Sequence, residues 1–365
     1  MNKQQEPRLR FKNFTGAWEE KKVIDFSPLQ RGFDLPVSKI TEGDYPVVFS
    51  NGILKSHNQY KVKGVGIVTG RSGTIGEVTF VEKDFWPHNT ALWVTNFFGN
   101  NPQFVFHFLK NFDLSRFATG SGVPTLNRND VHNQTIYVPK FEEQTALGNF
   151  FRRLDSQIAE SRAVLEKSRQ LKKAMLAKMF PANGEKIPKI RFKGFEGEWE
   201  CRKLGEIGEL YQPRTITGTD LTFTGYPVFG ANGYIGFYGE ANHFEDQVTI
   251  SARGEGTGTA NYVTAPVWIT GNSMVINVDC NNEIDKKFLF ALLTAMSLKK
   301  YVTGGAQPQL TREVLEKISL KIPTLPEQTA IGNFFRQLDE TIALQSAEVE
   351  KLNQIKKGLL AAMLV

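Results

Sequence analysis

The stretch QTALGNFFRRLD at Gln144–Asp155 returns as QTAIGNFFRQLD at Gln328–Asp339, with ten of twelve positions identical. In each copy the apolar residues lie three or four positions apart, the spacing that lines one face of an α-helix. Proline and acidic residues stand just ahead of both copies, where a helix N-terminus favours them. The repeated stretch therefore predicts two long amphipathic helices, at 142–180 and 326–365.

The apolar stripe is narrow and continues along both predicted helices, which is typical of a coiled coil. A single amphipathic helix of this length is not stable alone in water, and its nearest partner is the other copy. We therefore expect the two helices to pair antiparallel and to hold two bodies apart. The predicted seam consists of Leu147, Phe151, Leu154, Ile158, Leu165, Leu171, Met175 and Met179, and of Ile331, Phe335, Leu338, Ile342, Val349, Leu352, Ile355, Leu359 and Met363.

The repeat extends outward from these helices to most of the chain. Residues Pro7–Glu19 and Pro188–Glu200 share eight identities in thirteen positions. Pro124-x-Leu126-x-Arg128 returns as Pro308-x-Leu310-x-Arg312. Identity is high at the ends of each unit and low in the middle. We expect this pattern if the two centres face different ligands, and neutral drift of loops is the alternative.

Between the conserved ends, each unit carries short β-rich runs broken by glycine. Short amphipathic helices are predicted at Phe104–Asn111 and Lys287–Tyr301. The predicted fold class is α+β, with two similar β-rich domains separated by a long antiparallel two-helix coiled coil, as a pseudo-two-fold internal repeat. The predicted segments are a domain at 1–140, a helix and linker at 141–187, a second domain at 188–323 and a second helix at 324–365.

Composition argues against several classes of protein. Cys201 and Cys280 form no CxxC pair, and the five histidines lack ligand spacing, so neither a disulfide scaffold nor a metal site is predicted. No apolar run approaches the roughly 18 residues of a membrane helix, so we expect a soluble, cytoplasmic protein. The net charge of +6 permits a nucleic-acid partner without demanding one. If DNA is the ligand, a second subunit is expected to supply part of the positive field.

No catalytic set stands out in the sequence. Asn101-Pro102-Gln103-Phe104 is similar to the Asn-Pro-Pro-Tyr/Phe loop of amino-methyltransferases but lacks the second proline. The glycines of 254–258 do not form a dinucleotide motif, and no phosphate-binding GxxxxGK loop is present. A self-sufficient enzyme acting on DNA therefore remains only an alternative hypothesis.

The candidate DNA-binding residues lie in turns and polar loops. Arg71 and Arg253 occupy matching Gly/Ser/Thr-rich turns whose N–H groups suit a phosphate, and a solvated turn is the alternative. Arg128 and Arg312 would touch DNA or cap the helices behind them. The divergent stretch 56–60 would read base edges or form a solvated loop. The candidates are Ser56, His57, Asn58, Gln59, Tyr60, Arg71, Ser72, Thr74, Arg128, Arg253, Glu255, Thr257, Gln307, Gln309 and Arg312.

The RFKxFxGxW segment opens each unit. Its tryptophans, Trp18 and Trp199, are expected to anchor the fold. The basic residues of the segment are expected to be surface charge, namely Arg10, Lys12, Arg191 and Lys193.

The order of the segments along the chain resembles that of the specificity subunit of type I restriction–modification enzymes. The order is RFKxFxGxW, a divergent β-rich body, a Glu-Gln-Thr-Ala helix start and a long helix, all occurring twice. The matching residues are Phe11 and Phe192, Trp18 and Trp199, Pro139-x-x-x-Glu143-Gln144, and Pro323-x-x-Pro326-Glu327-Gln328. One departure is Phe141-Glu142 in place of the Leu325-Pro326 pair.

The resemblance implies a non-catalytic subunit whose two bodies each read half of a bipartite, asymmetric site on double-stranded DNA. Two modification subunits would bind S-adenosylmethionine and methylate adenine, while ATP and Mg are expected on a restriction/translocase subunit. A coiled-coil scaffold that joins two proteins is the alternative. The spacer-helix residues expected to serve partner binding are Gln144, Phe151, Leu154, Ile158, Gln328, Phe335, Leu338 and Ile342.

Overall fold

A computed structural model describes residues 6–120, 122–254, 256–303 and 308–364. The chain divides into two compact units. Unit 1 comprises Met1–Arg162 with Ala347–Val365, and unit 2 comprises Ala163–Ser346. Across the described ranges, no helix is both long enough and apolar enough to cross a membrane.

Unit 1 is a β-rich body with one medium-length helix and the start of a long one. Its strands are β1 (Glu19–Lys22), β2 (Leu29–Arg31), β3 (Tyr45–Phe49), β4 (Gly52–His57), β5 (Gly66–Gly70), β6 (Val78–Val81), β7 (Trp86–Pro87), β8 (Ala91–Val94), β9 (Ala118–Thr119), β10 (Thr125–Leu126) and β11 (Thr135–Val138). Its helices are α1 (Val23–Phe26), α2 (Pro102–Asn111), α3 (Arg128–His132) and the first part of α4 (Phe141–Lys178).

Unit 2 repeats this series. Its strands are β12 (Glu200–Lys203), β13 (Glu209–Tyr211), β14 (Tyr226–Gly230), β15 (Gly233–Tyr238), β16 (Gln247–Ser251), β17 (Ala260–Val263), β18 (Trp268–Ile269), β19 (Ser273–Asn277) and β20 (Ser319–Ile322). Its helices are α5 (Leu204–Ile207), α6 (Lys286–Met296), α7 (Arg312–Glu316) and most of α8 (Leu325–Met363), whose last residues belong to unit 1.

The two units have the same sheet topology. Unit 1 contains a four-stranded sheet in the order β2-β8-β5-β6 and a three-stranded sheet in the order β4-β3-β7. Unit 2 contains β13-β19-β16-β17 and β15-β14-β18, in which each strand takes the place of its counterpart. A terminal antiparallel pair closes each body, β1 with β11 and β12 with β20. The predicted α+β fold with an internal repeat is therefore confirmed.

Aromatic side chains fill the core of each body. In unit 1, Trp18 is 4% exposed and meets Phe104 edge to face, with ring centroids 6.4 Å apart. In unit 2, Trp199 meets Phe288 in the same way at 5.8 Å. Because the two tryptophans bury large apolar areas at matching points, they anchor the two bodies, as the sequence predicts.

The predicted long helices exist, and within each unit their segments run antiparallel. In unit 1, Asp155 and Arg162 of α4 contact Lys356 and Asn353 of α8, so residue numbers rise along one helix as they fall along the other. In unit 2, Lys172 of α4 pairs with Asp339 of α8, and Phe180, just after α4, stacks on Phe335 of α8, so the residue numbers again run in opposite directions. Each helix also packs on its own body, because Phe151 and Phe335 belong to the two aromatic cores.

The prediction that Leu171 and Ile355 belong to the seam is wrong. Their side chains are 47% and 43% exposed, whereas the other predicted seam residues are buried or half-buried. The neighbouring lysines, Lys172 and Lys356, face the other helix and pair with aspartates. The apolar stem of each lysine covers the seam, and the aspartate neutralises its ammonium group. A search for apolar residues alone does not detect such a lysine.

The expectation that Arg10 and Arg191 are surface charge is also wrong. Arg10 donates from Nε and Nη2 to the two carboxylate oxygens of Glu143, both at 2.7 Å. Arg191 forms the same bidentate pair with Glu327. Hydrogen bonding to these carboxylates raises the pKa of both guanidinium groups. The opening segment of each unit is thereby fastened to the start of its long helix. Lys12 and Lys193 are exposed, as predicted.

Candidate nucleic-acid interface

In unit 1, the Gly-rich turn that follows β5 lies against the Pro-x-Leu turn. The carbonyl of Arg71 accepts from the N–H of Leu126 at 2.8 Å, and Gly73 N–H donates to Pro124 O at 2.9 Å. On the other side, Arg71 N–H donates to Thr90 O. Two candidate segments that lie more than fifty residues apart in sequence therefore form one surface.

Unit 2 builds the same surface from its own copy of these turns. Arg253 forms an isolated bridge with Gln309, and Leu310 N–H donates to Ala252 O at 3.1 Å. Gly254 in this turn has a φ of +85°, and its counterpart Gly73 has a φ of +86°. Since side-chain-bearing residues rarely adopt this conformation, glycine is what permits the turn at both places.

A pair of 3₁₀ turns, Leu114–Phe117 and Leu298–Tyr301, completes these surfaces. A Cβ added to Gly76 would lie 3.3 Å from Ser115 Cβ, so the first 3₁₀ turn touches the Gly-rich turn. A Cβ added to Gly258 would likewise lie 3.1 Å from Lys299 N. The 3₁₀ turns contribute further basic residues to the surfaces, namely Arg116, Lys299 and Lys300, all exposed.

The sequence did contain a signal for these three basic residues. The 184-residue offset that relates Arg128 to Arg312 also relates Leu114 to Leu298, so the repeat reaches upstream through both 3₁₀ turns. Asp113 and Ser297, which precede the turns, share a φ of +50°. The same offset places Arg116 opposite Lys300 in the repeat. The sequence therefore indicates that these two basic residues occupy equivalent positions in the two units.

We call these patches basic surface 1 and basic surface 2. Their members are Arg71, Arg116 and Arg128 with their turns in unit 1, and Arg253, Lys299, Lys300 and Arg312 with their turns in unit 2. Within the described residues, the three arginines of basic surface 1 and Arg253 form no ion pair, whereas Arg312 pairs with Glu316 at 2.6 Å. Guanidinium groups without an ion-pair partner beside exposed turns are suited to phosphate contact.

Arg128 does not cap the helix behind it. It is the first residue of α3, and the preceding Asn127 provides the cap, with its side chain accepting from Asn129 N–H. The Arg128 side chain is exposed and remains available to a ligand. The hypothesis that Arg128 caps this helix is therefore wrong, and DNA contact remains a prediction.

Two candidate residues are placed inside the fold. His57 is 5% exposed, its Nδ1 accepts from Thr41 N–H at 3.1 Å, and its ring packs on Trp86. Thr257 is 4% exposed, and its hydroxyl donates to Gly254 O and Pro308 O. Because neither side chain reaches the surface, both are corrected from DNA contacts to residues that hold the loops in shape.

The remaining candidates lie at or near the surface. The stretch that follows β4 is exposed, and Tyr60 rests against Tyr45 with ring centroids 4.9 Å apart. Glu255 and Gln307 lie outside the described residues. Exposed candidates are Asn58, Gln59, Tyr60, Thr74, Arg128, Arg253, Gln309 and Arg312, and half-buried ones are Ser56, Arg71 and Ser72.

The turns of the β3–β4 and β14–β15 hairpins adjoin these surfaces. A Cβ added to Gly70 would come 2.8 Å from Ser50 O in the first hairpin turn. In unit 2, a Cβ added to Gly256 would come 2.5 Å from Asn232 Oδ1, and Ser251 Oγ donates to Ala231 O. Each body therefore presents a hairpin turn beside its Gly-rich turn.

The helix-start glutamines hold the long helices on the bodies. Gln144 is 3% exposed, accepts from Asn101 N–H at 2.9 Å and donates to Asn100 Oδ1 and Pro139 O. Gln328 makes the equivalent bonds to Asp285 N–H, Glu283 O and Pro323 O. Phe151, Leu154, Ile158 and Phe335 are buried, and Leu338 and Ile342 are half-buried. The expectation that the two glutamines and the four buried residues serve partner binding is wrong, because the chain's own packing encloses their side chains.

The Asn-Pro segment 101–102 has a structural role. Asn101 Oδ1 accepts from the N–H groups of Gln103 and Phe104, at 3.0 and 3.2 Å, and so caps α2. Pro102 occupies the first turn of this helix, where a missing N–H costs nothing. In the part of the chain that the structure describes, no group of three or more His, Cys, Asp or Glu side chains is placed to hold a metal ion.

Comparisons with known proteins agree with this duplicated architecture. The family model described as "Type I restriction modification DNA specificity domain" matches residues 16–167 and 196–356. The specificity subunit of type I restriction enzyme EcoprrI from Escherichia coli is 27% identical over 168 residues, which are 45% of this chain and 41% of that protein. The MjaVIII specificity subunit from Methanocaldococcus jannaschii is 22% identical over 285 residues, 70% of this chain and 67% of that protein.

A solved structure has the same fold over the whole chain. The type I restriction–modification S subunit from M. genitalium superposes with a TM-score of 0.78 at 20% identity, and 99% of each chain is covered. The chain spans less than half the length of the first of the relatives named above, so the resemblance to that protein is partial. Since the family model covers most of both units, the chain belongs to the type I restriction–modification DNA specificity family.

Proposed function

We propose that this chain reads a bipartite, asymmetric site on double-stranded DNA, each unit binding one half, and performs no catalysis itself. The observation that carries the proposal is the presence of two basic surfaces built from repeated turns, with the same backbone geometry but different side chains. Equivalent frameworks with different side chains suit two half-sites of different sequence. The cytoplasm, where DNA is accessible, is the proposed compartment.

We propose further that the long helices dock two modification subunits and that a restriction/translocase subunit joins them. Leu171 and Ile355 occupy equivalent positions on α4 and α8, 184 residues apart, and both are exposed. Exposed apolar side chains at equivalent places suit two copies of one partner. S-adenosylmethionine, ATP and Mg would then be bound by the partners.

The test measures DNA affinity of the complex assembled with its modification subunits, as a function of salt. Replacing Arg71 by Ala should weaken binding and lower the slope of log affinity against log salt by about one, because one phosphate contact is lost. Arg253→Ala, in the matching turn of unit 2, should do the same. Lys12→Ala removes an exposed charge outside basic surface 1 and is the matched control.

A coiled-coil scaffold is the second candidate, because the exposed Leu171 and Ile355 would serve any pair of partner proteins. The arginine variants separate the two functions. A scaffold would keep its partners and its activity after Arg71→Ala and Arg253→Ala, with no change in DNA binding or its salt dependence. That result would contradict the proposed DNA-reading function.

A further inference from the structure

Both hairpins contain a β-bulge at the same place. In the first hairpin, Val47 pairs with Lys55 and Val48 pairs with Ile53, which leaves Leu54 without a partner across the strands. In the second hairpin, Val228 pairs with Gly236 and Phe229 with Tyr234, which leaves Ile235 as the extra residue. Leu54 and Ile235 are 181 residues apart and thus equivalent in the repeat.

The bulge turns apolar side chains outward on both hairpins. Ile53 and Leu54 are 51% and 58% exposed, and Tyr234 and Ile235 are 57% and 51% exposed. In a regular strand, consecutive side chains point to opposite faces, so one of each pair would be directed at the body. A β-bulge changes the direction in which side chains point, and bulges are common next to functional sites. A bulge that exposes two adjacent apolar residues in both units therefore indicates a functional role.

These residues stand beside the turns that belong to the basic surfaces. Each pair follows a hairpin turn that touches a Gly-rich turn, through Ser50 and Gly70 in unit 1 and through Asn232 and Gly256 in unit 2. Ile235 lies over Gly230, where an added Cβ would come 3.3 Å from Ile235 Cγ2. The exposed apolar pairs are therefore continuous with the surfaces proposed to contact DNA.

We propose that Leu54 and Ile235, together with Ile53 and Tyr234, are specificity-determining residues that contact base edges in the major groove. This inference rests on the proposed function. β4 and β15 are edge strands of their three-stranded sheets, so each hairpin can present its outer strand to the major groove. Apolar side chains there recognise the methyl group of thymine. Leu54 and Ile53 would contact thymine in one half-site, and Ile235 and Tyr234 would contact thymine in the other.

The charges around the hairpins favour base edges over phosphates. The surface hollow beside Leu54 is lined by two carboxylates, Glu42 and Asp44, and by two lysines, Lys55 and Lys83. From residue 215 to residue 252, unit 2 contains four acidic residues and no lysine or arginine. A surface of this charge does not attract the phosphate backbone by itself. It suits a groove floor, where carboxylates can accept from the amino group of cytosine.

The pattern of divergence also favours a reading role. The turn glycines Gly52 and Gly233 both have a positive φ, of +102° and +112°, and the bulge is kept in both units. At one of the two exposed positions the side chains differ in kind, Ile53 in one unit and Tyr234 in the other, while Leu54 and Ile235 are both aliphatic. A common protein partner of both units would favour identical contacts, whereas two different half-sites require different ones.

The experiment combines truncation of an apolar side chain with removal of a DNA methyl group. The probe is a duplex carrying the motif methylated by the complete complex, with each thymine replaced in turn by deoxyuridine, which lacks only the methyl. For the wild-type complex, one such replacement in each half should weaken binding about four-fold, the scale of one buried methyl group. With Leu54→Ala, the replacement in the first half should have no further effect, while the second half still responds.

Ile235→Ala should give the reverse pattern, with loss of the response in the second half alone. Ile24→Ala removes a 43% exposed side chain of unit 1 outside the hairpin and should leave both responses intact.

If both variants bind as wild type, or respond to every replacement as wild type does, the inference is overturned. If Leu54→Ala or Ile235→Ala prevents assembly with the modification subunit, the hairpins are docking surfaces instead and the inference also fails. Absence of any sequence-specific binding by the wild-type complex would instead overturn the proposed function itself.

Discussion

At the scale of single residues, the carboxylates of Glu143 and Glu327 are buried at the starts of the long helices. Their side chains are only 4% and 1% exposed, and each receives a bidentate ion pair from one arginine. The same arginines also donate to backbone carbonyls, Arg10 to Gly16 O and Arg191 to Gly197 O. A carboxylate at this depth depends on its arginine, because an unpaired buried charge is costly.

Replacing Arg191 by Ala should therefore destabilise unit 2. We expect the free energy of unfolding to fall by about 3 kcal/mol, since the Glu327 charge is left buried without a partner. Chemical denaturation of the full chain measures the loss, and Lys193→Ala, which removes an exposed lysine, is the control. The double variant Arg191→Ala with Glu327→Ala should recover part of the loss. A change of less than about 0.5 kcal/mol in the single variant, the range of ordinary surface substitutions, would contradict the structural role.

His107 makes the stability of unit 1 dependent on pH. The side chain is 1% exposed, and burial lowers its pKa to about 4, although Asp155 nearby acts to raise it. Lys356 and Lys110 reinforce the lowering. The unfolded chain takes up a proton near pH 6.5, whereas the native side chain does so only near pH 4, so acidification favours unfolding.

Between pH 7 and pH 5, we expect this histidine to cost the protein about 2 kcal/mol of stability. The free energy of unfolding should be highest above the pKa of the unfolded histidine, and it should fall as the pH drops toward the pKa of the native side chain. Denaturation of His107→Leu at both pH values should show a correspondingly smaller loss than wild type, because the other histidines remain. Equal pH dependence in wild type and variant would show that His107 does not titrate as described.

At the scale of elements, a buried glutamine amide helps to join each long helix to its body. The side chain of Gln144 links α4 to the start of α2 and to the carbonyl of Pro139. Gln328 makes the same connections between α8 and α6. Because these bonds are buried, each glutamine fixes where its helix leaves the body.

Gln144→Ala should cost about 2 kcal/mol, because the N–H of Asn101 and the carbonyl of Pro139 lose their partner in a buried place. Hydrogen exchange should also show weaker protection at the first turns of α2 and α4. The control is Gln170→Ala, an exposed glutamine of the same helix. If both variants unfold alike, the amide does not hold the helix start.

The long helices were predictable because their signal is local and repeated. Their observed bounds, Phe141–Lys178 and Leu325–Met363, agree with the predicted ranges to within two residues. The orientation of Leu171 was not predictable from apolar spacing, because the aspartate that draws Lys172 to the seam is on another helix. Burial of His57 was hidden for the same reason, since Thr41 and Trp86 reach it only through the folded sheet.

At the scale of the whole molecule, the chain is a duplication in which framework and surface have evolved differently. Strand order, bulge position, helix-start glutamine and buried ion pair recur in both units. Several side chains that face outward on the hairpins differ between the units, as Ile53 differs from Tyr234, whereas the exposed Arg128 recurs as Arg312. The sequence alone displayed the duplication, but it did not show that the Gly-rich and Pro-x-Leu turns meet, because that contact joins distant segments.

The most direct test of the account is single-molecule methylome sequencing of cells that carry the complete system, with and without this chain. We predict an adenine-methylated motif in two parts that is present with the chain and vanishes when the chain is deleted. Exchanging the hairpin residues Ile53 and Leu54 for Tyr and Ile, their counterparts in unit 2, should change one part of the motif and leave the other intact. A motif that persists after deletion, or an undivided motif, would contradict the account.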